Sequence, residues 1–345
     1  MRALVYHGPG EMSVEKRRDP SPGSDEVLLR VVATGICGSD IHGFTGENGR
    51  RHPGQVMGHE FVGIVLDGGA TATGVALPGQ LATAVPVIAC DVCAACARHE
   101  QSMCQDKRVI GVDPTISSAF ADLMTVPARN LVPLPDGMPA ELGALVEPLA
   151  VGCHAVARGG VGPADRVLVV GGGPIGQACY LAARRTGADG VVVTEVDAHR
   201  SALLRDIGAT VVDPGEGDDV GAAVRDLLGG PADVVVDAVG TDATLAQAFD
   251  CSAEGGRIVL VGMQSPRLTV DAYAISTRQR SLVGAFTYNH REFRETAAWV
   301  GTAPPELTRL IEGRVGLAEA PRAFTDLASG DNTASKVLVL PTRES

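Results

Sequence analysis

The sequence is poor in aromatic side chains, with seven Phe, four Tyr and one Trp in 345 residues. A core with so few rings has to be filled by Val, Leu, Ile and Ala, which suits sheets and helices packed through small side chains. Positive charge is also in deficit: 29 Lys and Arg stand against 41 Asp and Glu, a net charge of −12. A nucleic-acid binder gathers Lys and Arg to neutralise phosphates, so that class is excluded. An anionic membrane surface is disfavoured for the same reason. No uninterrupted apolar run reaches the roughly 18 residues that span a bilayer, because Glu147, His154, Asp165 and Asp237 break the most apolar stretches. Residues 1–10 carry no apolar signal core, so the expectation is a cytoplasmic protein with no membrane partner.

What the chain does have is backbone flexibility and a folding composition. It holds 43 Gly and 21 Pro without a fixed period, 45% hydrophobic residues and 20% charged ones. Many turns and close backbone approaches are implied, and disorder is not. The length suggests two domains. From residue 1 to about 135 the chain reads as short strands between Gly and Pro, at 2–6, 26–33, 60–66, 80–85 and 119–126, which is the spacing of a β barrel or sandwich. From Arg166 onward Val-rich runs at 166–170, 191–194, 211–212, 233–239 and 256–261 alternate with helical periods up to Arg185 and at 198–207, 219–228 and 243–251. Strands without polar alternation are buried on both faces, as in a doubly wound parallel sheet between helix layers. After about Thr287 come two or three helical patterns, a strand-like run at 336–340 and a short polar tail. Periodicity does not decide which domain that segment joins.

The run Arg166-Val-Leu-Val-Val-Gly171-Gly-Gly173-Pro174-Ile175-Gly176 places Gly-x-Gly-x-x-Gly between a strand and a helix. Gly171 permits the tight turn, Gly173 lets the backbone approach a pyrophosphate at the helix N-terminus, and Gly176 lets helix and strand pack closely. Nineteen residues after Gly176, Glu195 ends the next strand-like run. A carboxylate there accepts hydrogen bonds from an adenosine ribose and repels a 2′-phosphate, favouring NAD over NADP. Arg200, five residues later, is placed to soften that preference. Gly240, Val261 and Gly262 follow later strands of the same domain and are further candidate cofactor contacts.

Of eight cysteines, Cys90, Cys93, Cys96 and Cys104 form C-x2-C-x2-C-x7-C. The chain is neither short nor signal-bearing, so metal binding explains the cluster better than a disulfide framework. Four thiolates close a tetrahedron around zinc with no open position, which makes a structural site. An iron–sulfur cluster is the alternative, although Gln105 follows Cys104 where the ferredoxin pattern has Pro. Cys153, Cys179 and Cys251 fall in apolar helical patterns and read as core thiols. A second group of polar residues lies in Gly35-Ile-Cys37-Gly-Ser39-Asp40-Ile-His42, Gly58-His59-Glu60 and Glu147-Pro148-Leu149-Ala150. Taken singly each has a structural reading. Between them, Glu47, Arg50 and Arg51 fit either a solvated loop or contact with a phosphorylated or carboxylated substrate.

Together these motifs resemble the zinc-dependent medium-chain dehydrogenases, the alcohol and polyol dehydrogenase family, over nearly the whole chain and in the family's order. The resemblance implies an α/β fold class: a GroES-like β-rich catalytic domain at 1–150 and 288–345, plus a Rossmann doubly wound parallel sheet at 151–287. It implies that Cys37 and His59 are ligands of a catalytic zinc, oriented in part by Asp40. Liver-type alcohol dehydrogenases carry Cys where this sequence has Glu147, whereas the sorbitol, butanediol and threonine dehydrogenase branch carries Glu. Glu60 matches a glutamate beside the metal, and which of Glu60 and Glu147 ligates stays open. Ser39 then takes the hydroxyl proton and passes it through the cofactor ribose to His42 at the surface, and Lys336 matches a basic residue at the pyrophosphate. The function implied is hydride transfer between a secondary alcohol or polyol and NAD, with NADP possible, by an enzyme holding two zinc ions per chain. Sugar alcohols, cyclitols, amino alcohols and phosphorylated polyols are the substrate classes implied, and a homo-oligomer, dimer or tetramer, the assembly. A structural or regulatory NAD-binding zinc protein without catalysis is the alternative. Against it, and against a zinc-free quinone reductase, stand Cys37, Ser39, His59 and Glu147, none of which is replaced.

Overall fold

Glu26–Gly35 buries Val27, Leu29, Val31 and Ala33 and leaves the residues between them half-buried, the period of two that turns one face of a strand into a core. In the computed structural model, which describes residues 1–47, 49–72, 74, 77–116, 118–215 and 219–342, this strand is the centre of a seven-stranded sheet. Side by side run Gly313–Gly316, Val337–Leu340, Glu26–Gly35, Glu60–Gly68, Leu81–Ala84 and Leu131–Pro133, and Leu123–Pro127 pairs with Glu26–Gly35 as well. The C-terminal segment enters through antiparallel pairing of Leu338 with Gly35 and Val339 with Thr34. Phe324 packs edge-on against Phe44 at 5.7 Å and Phe120 at 5.4 Å, so three of the few aromatic rings pin the returning segment beside Leu4 and Met57.

The strand expected at 119–126 begins only at Leu123. Ala121 instead forms a lone bridge with Ala3, and the Phe120 carbonyl accepts from the Leu4 N–H. Two strands of two residues each, Val87–Ile88 and Arg108–Val109, pair antiparallel at the base of the cysteine loop and are too short to show a period. Residues 343–345 of the expected polar tail lie outside the described residues.

Pro148–Tyr288 forms a unit of its own by its internal contacts; the other unit is Met1–Glu147 with Asn289–Ser345. Its six strands, Arg166–Val170, Gly190–Thr194, Thr210–Val212, Ala232–Asp237, Ser252–Leu260 and Ser281–Gly284, are all parallel. Side by side they run third, second, first, fourth, fifth, sixth, the order of a doubly wound dinucleotide fold. Val167 pairs with Val191 on one side and Val234 on the other, and all three are buried. Helices Pro174–Arg185, Ala198–Asp206, Val220–Leu228 and Asp242–Cys251 connect the strands. One helical stretch among the described residues, Ala140–Arg158, is long and apolar enough to cross a membrane. Charges at Glu141, Glu147 and Arg158 interrupt its sequence but are too sparse to cancel its apolar average. Leu142, Leu145, Val146, Leu149, Ala155 and Val156 along it are buried, as in a core segment.

Candidate active site

Three polar side chains converge where the first unit's central strands end. Cys37 is the N-cap of helix Gly38–Phe44, His59 directly precedes strand Glu60–Gly68, and Glu60 opens that strand opposite Gly35. One donor atom from each of Cys37, His59 and Glu60 lies within 4.8 Å of the others. Gly58 makes the approach possible. Its φ is +103°, and a Cβ would stand 2.9 Å from the Phe120 backbone nitrogen. A thiol, an imidazole and a carboxylate at that separation are the nitrogen, sulfur and oxygen donors that zinc takes, and three protein ligands leave a fourth position for substrate.

Behind the donors the charges are buried. Asp40 Oδ2 accepts the Cys37 N–H at 3.2 Å, and Asp40 Oδ1 lies 3.5 Å from His59 Nδ1. Both Asp40 Oδ1 and His59 Nδ1 are buried without a hydrogen-bond partner at that distance. Burial pushes the Asp40 carboxyl up, but His59, Arg51 and the Cys37 N–H outweigh it and hold it below its usual range. Burial likewise pushes His59 down, and the Asp40 charge, with Cys37, raises it well above an ordinary histidine. Ser39 Oγ lies 3.5 Å from His59 Nε2. His42 is exposed, its Nδ1 2.6 Å from Glu47 Oε2. Glu147 stands in the first turn of Val146–Arg158, outside the three-donor cluster. Lys336 is buried and donates to both oxygens of Glu60, at 2.8 and 2.6 Å, and to the Ile36 carbonyl at 3.3 Å. Burial pushes this ammonium down, and the charges of Glu60, Cys37 and Glu147 bring it above its ordinary value.

The four-cysteine loop closes on itself. Sulfur donors of Cys90, Cys93, Cys96 and Cys104 all lie within 4.8 Å of one another. Cys93 is 3.5 Å from Cys96, whose backbone N–H and thiol pull the Cys93 thiol down to about 7. Burial and the contact with Cys93 push Cys96 up to about 12. Four thiolates this close repel one another unless a cation sits among them, so the set fits a structural zinc.

In the second unit, Gly171 takes φ +92° at the strand end, and a Cβ on Gly176 would stand 1.8 Å from the Gly171 carbonyl oxygen. Gly173 caps helix Pro174–Arg185, with Pro174 and Ile175 in its first turn. Glu195 is buried and accepts the Gly172 N–H at 2.6 Å and the Asp197 N–H at 2.8 Å, tying its carboxylate to the glycine turn. Arg200 follows the Asp197 cap, and its Nη1 comes within 3.9 Å of where a Gly173 Cβ would be. Gly240 and Gly262 pass so closely that a Cβ on Gly240 would stand 2.4 Å from the Gly262 oxygen, with Val261 beside them. Asp237 organises these loops by accepting the Val239 and Gly240 N–H groups, both at 2.9 Å, and the Thr244 hydroxyl at 3.0 Å. In the sequence Asp237 stands out only as a break in an apolar stretch; its place as the last residue of strand Ala232–Asp237, after three valines, was the available signal of this role. Arg51 is neither solvated nor exposed to a substrate: from its polar loop it turns inward and is buried.

Known families match both units. The alcohol dehydrogenase GroES-like domain matches residues 23–136, and the zinc-binding dehydrogenase family matches residues 174–302. Sorbitol dehydrogenase of Macaca fascicularis is 32% identical, over 95% of this chain and 93% of its own. The chain belongs to the zinc-dependent medium-chain alcohol and polyol dehydrogenases. L-idonate 5-dehydrogenase of Vitis vinifera is 33% identical over 79% of this chain and 76% of its own length. A protein described as a zinc-binding dehydrogenase from Sinorhizobium meliloti 1021, solved bound to NADP, superposes with a TM-score of 0.91 at 32% identity, covering 99% of both chains. As a member of this family the protein is an oxidoreductase that uses zinc and a nicotinamide dinucleotide on a small-molecule alcohol, and a non-catalytic role is not favoured.

Proposed function

We propose that the protein oxidises a secondary hydroxyl of a sugar-derived polyol with NAD, using a zinc held by Cys37 and His59 with a glutamate as third ligand. The convergence of Cys37, His59 and Glu60 donors within 4.8 Å, beside the Ser39 hydroxyl, carries this reading. Zinc bound there supplies Lewis-acid polarisation that makes the substrate hydroxyl acidic enough to lose its proton near neutral pH. The remaining work falls to the chain's own groups. Ser39 Oγ accepts the hydroxyl proton as it releases its own, and the exposed His42, held by Glu47, is the outlet from which that proton reaches solvent. Asp40 orients His59. Glu60, gripped by Lys336, and Glu147, at its helix start, are the two carboxylates available for the third position.

In the second unit Gly171, Gly173 and Gly176 receive the pyrophosphate, and the Glu195 carboxylate selects the unphosphorylated ribose, so NAD is the preferred cofactor. Arg200 beside the glycine turn makes NADP a weaker second choice. Relatives named for sorbitol and L-idonate point to sugar alcohols and sugar acids as the substrate class. The reading includes a homo-oligomer, dimer or tetramer, and a cytoplasmic location, which suits eight cysteines without a disulfide.

The test is reduced-nicotinamide absorbance when zinc-replete protein meets NAD or NADP with alcohols, diols, polyols, sugar acids, sugar phosphates and aminocyclitols. Turnover confined to sugar alcohols and sugar acids, with the higher kcat/KM for NAD, is the expected result. Silence across the panel from a protein that binds zinc and NAD would overturn the polyol substrate reading.

A further inference from the structure

The loop between helix Gly38–Phe44 and strand Glu60–Gly68 sends a cation inward. The Arg51 side chain is 2% exposed, and its Nη2 lies 3.6 Å from Oδ1 of the wholly buried Asp40. The same nitrogen donates to the Ser39 carbonyl at 3.4 Å, and Nε points at Met57 Sδ at 3.1 Å. Gly43 provides the room. A Cβ there would stand 2.7 Å from Arg51 Cγ and 2.8 Å from Nε. Burying a guanidinium is unfavourable unless a buried anion faces it, and the anion Arg51 faces is the one beside the His59 ring. Asp40 Oδ1 thus stands between Arg51 at 3.6 Å and His59 Nδ1 at 3.5 Å, while Oδ2 is taken by the Cys37 N–H at 3.2 Å.

We propose that Arg51 is a positioning residue of the metal centre. Through Asp40 it holds the His59 ring with Nδ1 turned away from the donors and Nε2 turned toward Ser39 Oγ. Through the Ser39 carbonyl it holds the helix turn that carries that hydroxyl. This rests on the assignment of Cys37 and His59 as zinc ligands. Its burial also removes Arg51 from contact with a phosphorylated or carboxylated substrate.

Two variants perturb it differently. Arg51→Met removes the charge and keeps the bulk, whereas Gly43→Ala keeps the charge and displaces the guanidinium, at a helical position where alanine is the better helix former. The holoenzymes are titrated with a zinc chelator while metal per chain is counted, and the visible spectra of cobalt-substituted proteins are recorded. Arg51→Met is expected to release the catalytic zinc at about 10- to 100-fold lower chelator concentration, with the cysteine-loop zinc retained and Arg51→Lys restoring part of the resistance. The cobalt bands should shift in both Arg51→Met and Gly43→Ala, which a residue that only stabilises the fold would not cause. Wild-type chelator resistance and unchanged cobalt bands in the folded variants overturn the proposal, and Gly43→Ala decides alone if Arg51→Met does not fold. A wild-type cobalt spectrum indifferent to Cys37→Ser would instead overturn the ligand assignment. Dependence on Cys37 but not on Arg51 or Gly43 would sink only the positioning role.

Discussion

Ser39 shows how little separates a structural hydroxyl from one that moves a proton. Its Oγ is 3.5 Å from His59 Nε2, on the first turn of a helix whose N-cap is Cys37, so any group approaching the Cys37 and His59 donors meets it. Replacing it with Ala removes the acceptor without disturbing a donor. Ser39→Ala is expected to lower kcat by about 10²-fold or more while zinc per chain stays at the wild-type value. Wild-type turnover in that variant would take Ser39 out of the mechanism. Lys336 carries a different lesson. A basic residue matched to a cofactor pyrophosphate has its ammonium on both Glu60 oxygens, and Gly35 makes the space, since a Cβ there would stand 3.2 Å from Lys336 Cδ. Sequence spacing brings no information about that contact, because 276 residues separate the partners.

Among the elements, the cysteine loop depends most on something other than its own packing. It is tied down by a ladder of two residues per strand, a four-residue helix and the mutual contacts of four sulfurs. Elements this short do not hold themselves. Cys93→Ser is therefore expected to lose about one zinc per chain and lower the Tm, with the catalytic zinc kept. Unchanged metal content would refute the site. The loop was fully legible in the sequence, because ligand spacing over 15 residues survives any fold. The glycine turn was legible too, since strand, turn and helix are contiguous. The start of Leu123–Pro127 was not, because the backbone at 120–121, just before it, is drawn off by Leu4 and Ala3, far away in the chain.

At the scale of the whole molecule, stability against pH is set by groups that change environment on folding. His290 opens helix His290–Gly301, and its Nε2 donates to the Val87 carbonyl at 2.9 Å. Burial lowers its affinity for a proton, Arg294 and Arg129 add to that, and the Val87 bond and Asp91 oppose it, leaving the folded value below 6.5. The unfolded chain then takes up the proton first as pH falls, so this contribution is present above about pH 6.5 and is lost below it. His290→Gln keeps an N–H for Val87 but does not titrate. Its Tm should fall less than wild type between about pH 8 and about pH 5.5, and an equal fall would show that His290 is not among the groups responsible.

The one-dimensional pattern was enough for the α/β class, the dinucleotide turn and the four-sulfur loop, because each rests on local spacing or on a period that a single segment shows by itself; Cys37, His59 and Glu60 stood out only through the resemblance to a family, since each taken singly has a structural reading. Only the tertiary structure decided what lies against them. Pairing of Val339 with Thr34 settled where the C-terminal segment goes, Lys336 was brought onto Glu60, and Arg51 was turned from a loop charge into a buried partner of Asp40. The physical reason is common to all three. Pairing and charge burial depend on groups distant in sequence, and a charged side chain goes inside only where folding has already placed its counter-charge.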